Sequence, residues 1–104
     1  MDAIVAMTTT STEREAKNIA AVLVKERVAA CVQIIPKISS IYEWNGEIHD
    51  DQEYLLMIKT QEKHAKAIKK IIKENHSYDV PEFVVLPIID GSDEYFGWIK
   101  KVTR

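Results

Sequence analysis

The feature that most constrains this chain is an Asn45-Gly46 pair set between two long extended runs. Both central residues of a type I′ hairpin turn need positive φ, and Asn-Gly is the pair that most readily supplies it. On the N-terminal side the period is two from about Ala30. Val32, Ile34, Pro36, Ile38, Tyr42 and Trp44 share one parity, whereas Gln33, Lys37, Ser39 and Glu43 share the other. The returning arm runs from Glu47 to Thr60, and its half from Tyr54 to Ile58 is apolar throughout, which suits a central strand. Pro36 lacks a ladder donor, so the first arm is expected to be an edge strand or to carry a bulge near that point. Each arm holds about 13 residues against a usual strand of about 5 or 6, so the hairpin should extend well beyond the domain that carries it.

The rest of the chain supplies that domain. Ala3-Ile4-Val5-Ala6-Met7 is a continuous apolar run and reads as a strand covered on both faces. Thr12 and Glu15 stand at capping-box spacing, and a helix follows to about Arg27, with Ala16, Ile19, Ala20, Leu23 and Val24 on its buried face. A second helix spans roughly Gln61 to Asn75 on the stripe Ala65, Ile68, Ile71 and Ile72, its lysines facing water. After a loop with Tyr78 and Pro81, Phe83 to Ile89 reads as a fourth strand, at an edge because of Pro87. Ser92 then caps a short last helix that has Asp93 and Glu94 first and Lys100 and Lys101 last.

The order β-α-β-β-α-β with a terminal helix is the ferredoxin-like α+β pattern. It predicts an antiparallel sheet of order 4-1-3-2 with two helices on one face, strands 1 and 3 running parallel at its centre. The other face is left short of cover, and long apolar edges are normally blunted or paired, so self-association through strand 2 is expected.

Length and charge narrow the function. The 104 residues fit one domain, 1–104, and 3 glycines and 3 prolines leave no linker or repeat. A net charge of −2 from 14 basic and 16 acidic residues lacks the field that a nucleic-acid or anionic-membrane binder needs, so neither is an expected partner. A single cysteine, no secretory leader and no apolar run of spanning length point to a cytoplasmic protein.

Four segments in register then resemble one family. Glu26-Arg27-Val28-Ala29-Ala30-Cys31-Val32, Tyr42-Glu43-Trp44-Asn45-Gly46-Glu47-Ile48 with Glu53, His76-Ser77-Tyr78-Asp79-Val80-Pro81-Glu82, and Tyr95 with Trp98 are similar in order and spacing to the CutA1 divalent-cation tolerance proteins. The resemblance covers nearly the whole chain. It implies a ferredoxin-like subunit assembled as a homotrimer, the hairpin packing across neighbours, and a link to tolerance of copper and other divalent metals. It brings no catalytic reaction and no organic cofactor, so the chain is not expected to be an enzyme. The architecture is also similar to PII signalling trimers, whose clefts between subunits bind small effectors. A regulatory trimer that binds a small ligand or partner protein is therefore the alternative function.

Family members credited with copper binding offer a Cys at the end of strand 1 and two consecutive His before the Tyr of the third segment. The corresponding residues are Thr8, Asn75 and His76, of which only His76 matches. A histidine after a helix C-terminus is also a common dipole-complementing or capping residue. The hairpin offers a second metal candidate. A two-residue loop pairs Trp44 with Glu47, Tyr42 with His49, Ser40 with Asp51 and Ile38 with Glu53, so His49 with Asp51, or Asp51 with Glu53, could share one Cu(2+) or similar ion. The plainer reading is a solvated or inter-subunit polar stripe. Cys31, between Ala30 and Val32, is expected to be buried and inert. Tyr42, Trp44, Glu53, Lys59, Tyr78 and Glu82 are the candidates for an inter-subunit ligand pocket, since aromatics with a few convergent charges are what such sites use. Their plainer reading is trimer packing.

Overall fold

The computed structural model describes residues 2–104. Strand β1 (Ala3–Thr10) leads through helix α1 (Glu13–Lys25) to the hairpin strands β2 (Cys31–Trp44) and β3 (Glu47–Gln61). A 3-10 turn (Glu62–His64) opens helix α2 (Ala65–Asn75), and strand β4 (Val84–Pro87) and helix α3 (Asp93–Val102) complete the chain. The sheet order is β2-β3-β1-β4, which read from the other edge is the expected 4-1-3-2. β1 and β3 are antiparallel neighbours, not parallel ones, with Ala3 opposite Gln61 and Thr10 opposite Tyr54. The crossover through α1 returns the chain parallel to β1 but one strand further out. The vacant place is filled by β3, which runs opposite to its hairpin partner β2 and so opposite to β1 as well.

The helical face of the sheet holds the core. Ala6, Leu56 and Ile58 pack against Ala16, Ile19 and Leu23 of α1 and Ile68 and Ile72 of α2, all nearly or fully buried. Thr12 caps α1 by accepting the Glu15 N–H at 3.1 Å. The reciprocal half of the capping box is not made, because the Glu15 carboxylate reaches across to Ser77 instead, at 3.1 Å from its N–H and 3.2 Å from its hydroxyl. α1 stops at Lys25, where Arg27 enters the left-handed region at φ 59° and turns the chain toward β2. β4 is shorter than expected. Only Val84–Pro87 pair with β1, and one further backbone bond, from the Ile88 N–H to the Ala3 carbonyl at 3.0 Å, follows Pro87.

Asn45 (φ 53°) and Gly46 (φ 80°) form the positive-φ turn, and the four expected pairs from Trp44–Glu47 to Ile38–Glu53 are all present. The ladder slips between Ile35 and Ile38, a bulge at Pro36-Lys37 in which Lys37 takes φ 59°. That bulge overturns the single-parity reading of β2. Val32 and Ile34 face the helices, whereas Ile38, Tyr42 and Trp44 face the opposite side, since one extra residue inverts the alternation beyond it.

α3 lies against that opposite face, where Tyr95 Oη stands 3.4 Å from Cys31 Sγ. Cys31 is accordingly half-buried and not sealed in the core. It pairs with Lys59, whose parity points away from α1 and α2, so its small apolar chain neighbours were no guide to its surroundings. Ser92 caps α3 by accepting the Tyr95 N–H at 3.2 Å, and Ile99 is fully buried. The C-terminus is tied down by Gln61 to Thr103 (2.6 Å) and by Arg104 N–H to the Arg27 carbonyl (2.9 Å).

Candidate functional site

The bulge in β2 delivers the hairpin half of a site. Beyond it, Tyr42 and Trp44 stand on the same face as their cross-strand neighbours His49, Asp51 and Glu53. Tyr42 stacks on His49 with ring centroids 5.3 Å apart, and its hydroxyl donates to Asp51 Oδ2. That bond raises the Tyr42 hydroxyl above the ordinary tyrosine range, because ionisation would set two anions in contact. Glu53, where the hairpin joins the body of the sheet, is 6% exposed.

The second half comes from the loop after α2, and His76 positions it. The carbonyl of Thr9 can only accept, so His76 Nε2 donates to it at 2.6 Å. His76 Nδ1 then accepts the Tyr78 N–H at 3.1 Å, and the two rings lie 4.7 Å apart. Glu15 Oε1, 3.6 Å from Nδ1, therefore faces a nitrogen lone pair and not a proton. Held in this way, the Tyr78 hydroxyl donates to Glu53 Oε2 at 2.7 Å. Burial, then the bond to Glu53 and the Glu53 charge, push the Tyr78 hydroxyl far above its usual range, so it remains a donor.

Hairpin and loop enclose a cleft of about 550 Å³ lined by Tyr42, Trp44, Glu53, Tyr78 and Glu82 together with Thr9, Ser40, Ile41, Asp79 and Val80. Glu82 stands at the solvent-facing rim. Loss of water to its neighbours, with the Glu53 charge second, still raises its carboxyl above the ordinary 4.5. A volume within about 300–1,000 Å³, aromatic walls and a few fixed polar groups are the attributes of small-ligand sites.

The cleft unites five of the six pocket residues singled out from the sequence. Lys59 is not among them. It shares a sheet face with Glu53, but six positions along a strand is roughly 20 Å, and its ammonium instead donates to Gln33. Thr9, Ser40, Ile41, Asp79 and Val80 were not foreseen. Ser40 was legible in principle, as the cross-strand partner of Asp51, but the loop residues follow no period.

Neither metal candidate forms a closed donor set. Among the described residues no group of three or more His, Cys, Asp and Glu side chains is placed to hold an ion. In the set inherited by alignment, His76 has both ring nitrogens in hydrogen bonds, Asn75 donates to the Ile71 carbonyl at 2.8 Å, and Thr8 is fully buried with its hydroxyl unpartnered. His49 and Asp51 are joined indirectly, each touching Tyr42. No helix among the described residues is long and apolar enough to cross a membrane.

Comparison with known proteins places this geometry in a family. The family described as CutA1 divalent ion tolerance protein matches residues 4–102. The divalent-cation tolerance protein CutA of Thermus thermophilus is 46% identical over 99 residues, covering 95% of this chain and 96% of that protein. The chloroplastic protein CutA of Arabidopsis thaliana is 44% identical over 101 residues, but the chain, 97% of which is covered, spans only 56% of that relative's length. Among solved structures, CutA1 of Oryza sativa superposes with a TM-score of 0.97 at 41% identity, covering 100% of this chain and 95% of that one. With near-complete coverage by both sequence and fold, the chain belongs to the CutA1 divalent-cation tolerance family.

Proposed function

We propose that this chain assembles as a homotrimer and acts in the response to divalent metal ions as a regulator that binds a small ligand in the Glu53 cleft. The convergence of residues from both hairpin strands and the loop after α2 on one cavity carries this reading, because packing alone does not require a buried carboxylate facing open space. Assembly is supported by the sheet face opposite the helices. Val84, Leu86, Tyr95 and Trp98 there are each 39–50% exposed, more apolar surface than an isolated small domain usually leaves open. The role is one of binding and not of catalysis, in a cytosolic setting. Native mass spectrometry with metal analysis, on protein purified without tags, tests it. A trimer carrying an organic adduct that is lost in Glu53→Ala supports the reading, and stoichiometric metal without any adduct would overturn it.

A second reading, direct contact with copper(II), is favoured by one observation. His76 and His64 both use ring nitrogens in internal hydrogen bonds, whereas His49 has none among the described residues. A copper ion would then be met at His49 with Asp51, on the hairpin stripe. Calorimetric titration with copper(II) should lose its signal in His49→Ala and keep it in His76→Ala. The reverse pattern would sink this placement.

A further inference from the structure

The cleft has a charge problem that points to what it holds. Glu53 is about nineteen-twentieths buried, being 6% exposed, and its Oε2 accepts from Tyr78. Its Oε1 has no hydrogen-bond partner, and no Lys, Arg or His pairs with the carboxylate among the described residues. The charged side chains lining the cavity with it are Asp79 and Glu82, so among the described residues the walls bear carboxylates and no cation. A buried carboxylate is normally matched by a cation or by several donors, and one left with a single donor and an open cavity is poised to receive the missing partner. Burial raises the Tyr78 hydroxyl and the Glu82 carboxyl first, and the Glu53 charge adds to both shifts in the same direction.

A bare metal ion does not meet this need, because among the described residues no three donor groups converge on one point and the cavity is far larger than an ion. Phosphate-bearing effectors and carboxylates are repelled. The aromatic walls, with Trp44, Tyr42 and Tyr78, suit an apolar or π-bearing body whose charged head reaches Glu53.

We propose that the ligand of this cleft is a small organic monocation, an amidinium, guanidinium or ammonium, whose N–H groups meet Glu53 Oε1 while its body lies against Tyr42 and Trp44. This rests on the cleft being a ligand site, and adds the class of ligand.

The test uses three probes of one shape and different charge, benzamidinium, benzamide and benzoate, titrated into the assembled protein by calorimetry and by protein-observed NMR. Benzamidinium should bind at least about tenfold more tightly than benzamide, and benzoate should not bind, because a charge-assisted bond to a buried carboxylate is absent from the neutral and anionic probes. Glu53→Gln keeps the side-chain shape and should reduce the amidinium-to-amide ratio to near one. Tyr78→Phe should perturb the same resonances while keeping the preference for the cation. Benzoate binding in the cleft with benzamidinium excluded would overturn the inference and leave the ligand-site reading standing. Failure of all three probes at millimolar concentration would overturn both. Benzamidinium binding unchanged by Glu53→Gln would place the cation elsewhere and overturn the inference. Circular dichroism and sedimentation of the Gln variant distinguish lost binding from lost fold.

Discussion

At the residue scale, His76 joins β1, the end of α2 and the cleft by holding Thr9 and Tyr78 at once. His76→Ala should cost about 1–3 kcal/mol in urea unfolding at fixed protein concentration, since it removes a buried donor and acceptor together. An unchanged midpoint would show that the loop is held by Glu15 and Ser77 alone. Glu82 gives a prediction with a sign. Its carboxyl is raised by loss of water and by Glu53, so the folded state binds its proton more tightly than the unfolded one does. Stability from this group is present below the ordinary value of 4.5 and is lost as pH rises through the raised one. Glu82→Gln should therefore be more stable than the parent at neutral pH, with the difference closing below 4.5, as thermal melts at several pH values would show. A gap that widens on acidification would contradict the assignment. Tyr95, bonded to Cys31 and partly desolvated, is pushed up to about 12. Its phenolate absorbance step near that pH should vanish in Tyr95→Phe. The sequence showed Tyr95 and Cys31 as separate features, and their contact depends on how α3 crosses the sheet.

At the element scale, the bulge in β2 decides more than any other irregularity. With a continuous ladder, Tyr42 and Trp44 would share the face of Val32 and Ile34, and the cleft would lose two of its three aromatic walls. Lys37 carries the strain at φ 59°. A β-branched residue there is much worse tolerated than glycine, so Lys37→Val should destabilise by about 1 kcal/mol or more, with Lys37→Gly near neutral. Denaturant curves on the pair check this, and equal stabilities would mean that the bulge relaxes. Pro36 announced an edge or a bulge near it, but a missing donor cannot say whether the alternation resumes in phase. That depends on the insertion of Lys37, which the register with β3 establishes. Asn45-Gly46 was readable outright, because its turn chemistry is local.

At the scale of the whole molecule, the hairpin stretches the chain to 44 × 25 × 22 Å, with a radius of gyration of 14.2 Å against about 13 Å for a compact domain of this length. Ile48, 75% exposed, lies on the hairpin face opposite Tyr42 and Trp44, and Ile41, 72% exposed, has that same register while bordering the cleft, so the projecting arm carries apolar residues on both sides. The trimer proposed above should sediment at close to three times 11.9 kDa. Trp44→Ala should weaken assembly by about 2 kcal/mol or more if the arm is an anchor. A monomer at micromolar concentration would remove the trimer reading, and a Trp44→Ala trimer of normal stability would assign Trp44 to the cleft alone. The sequence by itself determined the element order, the turn, the helix caps and the strand order, because these follow from residue periodicity, local dihedral preferences and chain connectivity. It also singled out Tyr42, Trp44, Glu53, Tyr78 and Glu82. Tertiary structure alone decided that β1 and β3 run antiparallel, that Lys59 lies too far along its strand to join the cleft, and that both nitrogens of His76 are engaged. Each of these depends on contacts between residues far apart in the chain, and pattern within a segment carries no information about which partner a side chain meets across the fold.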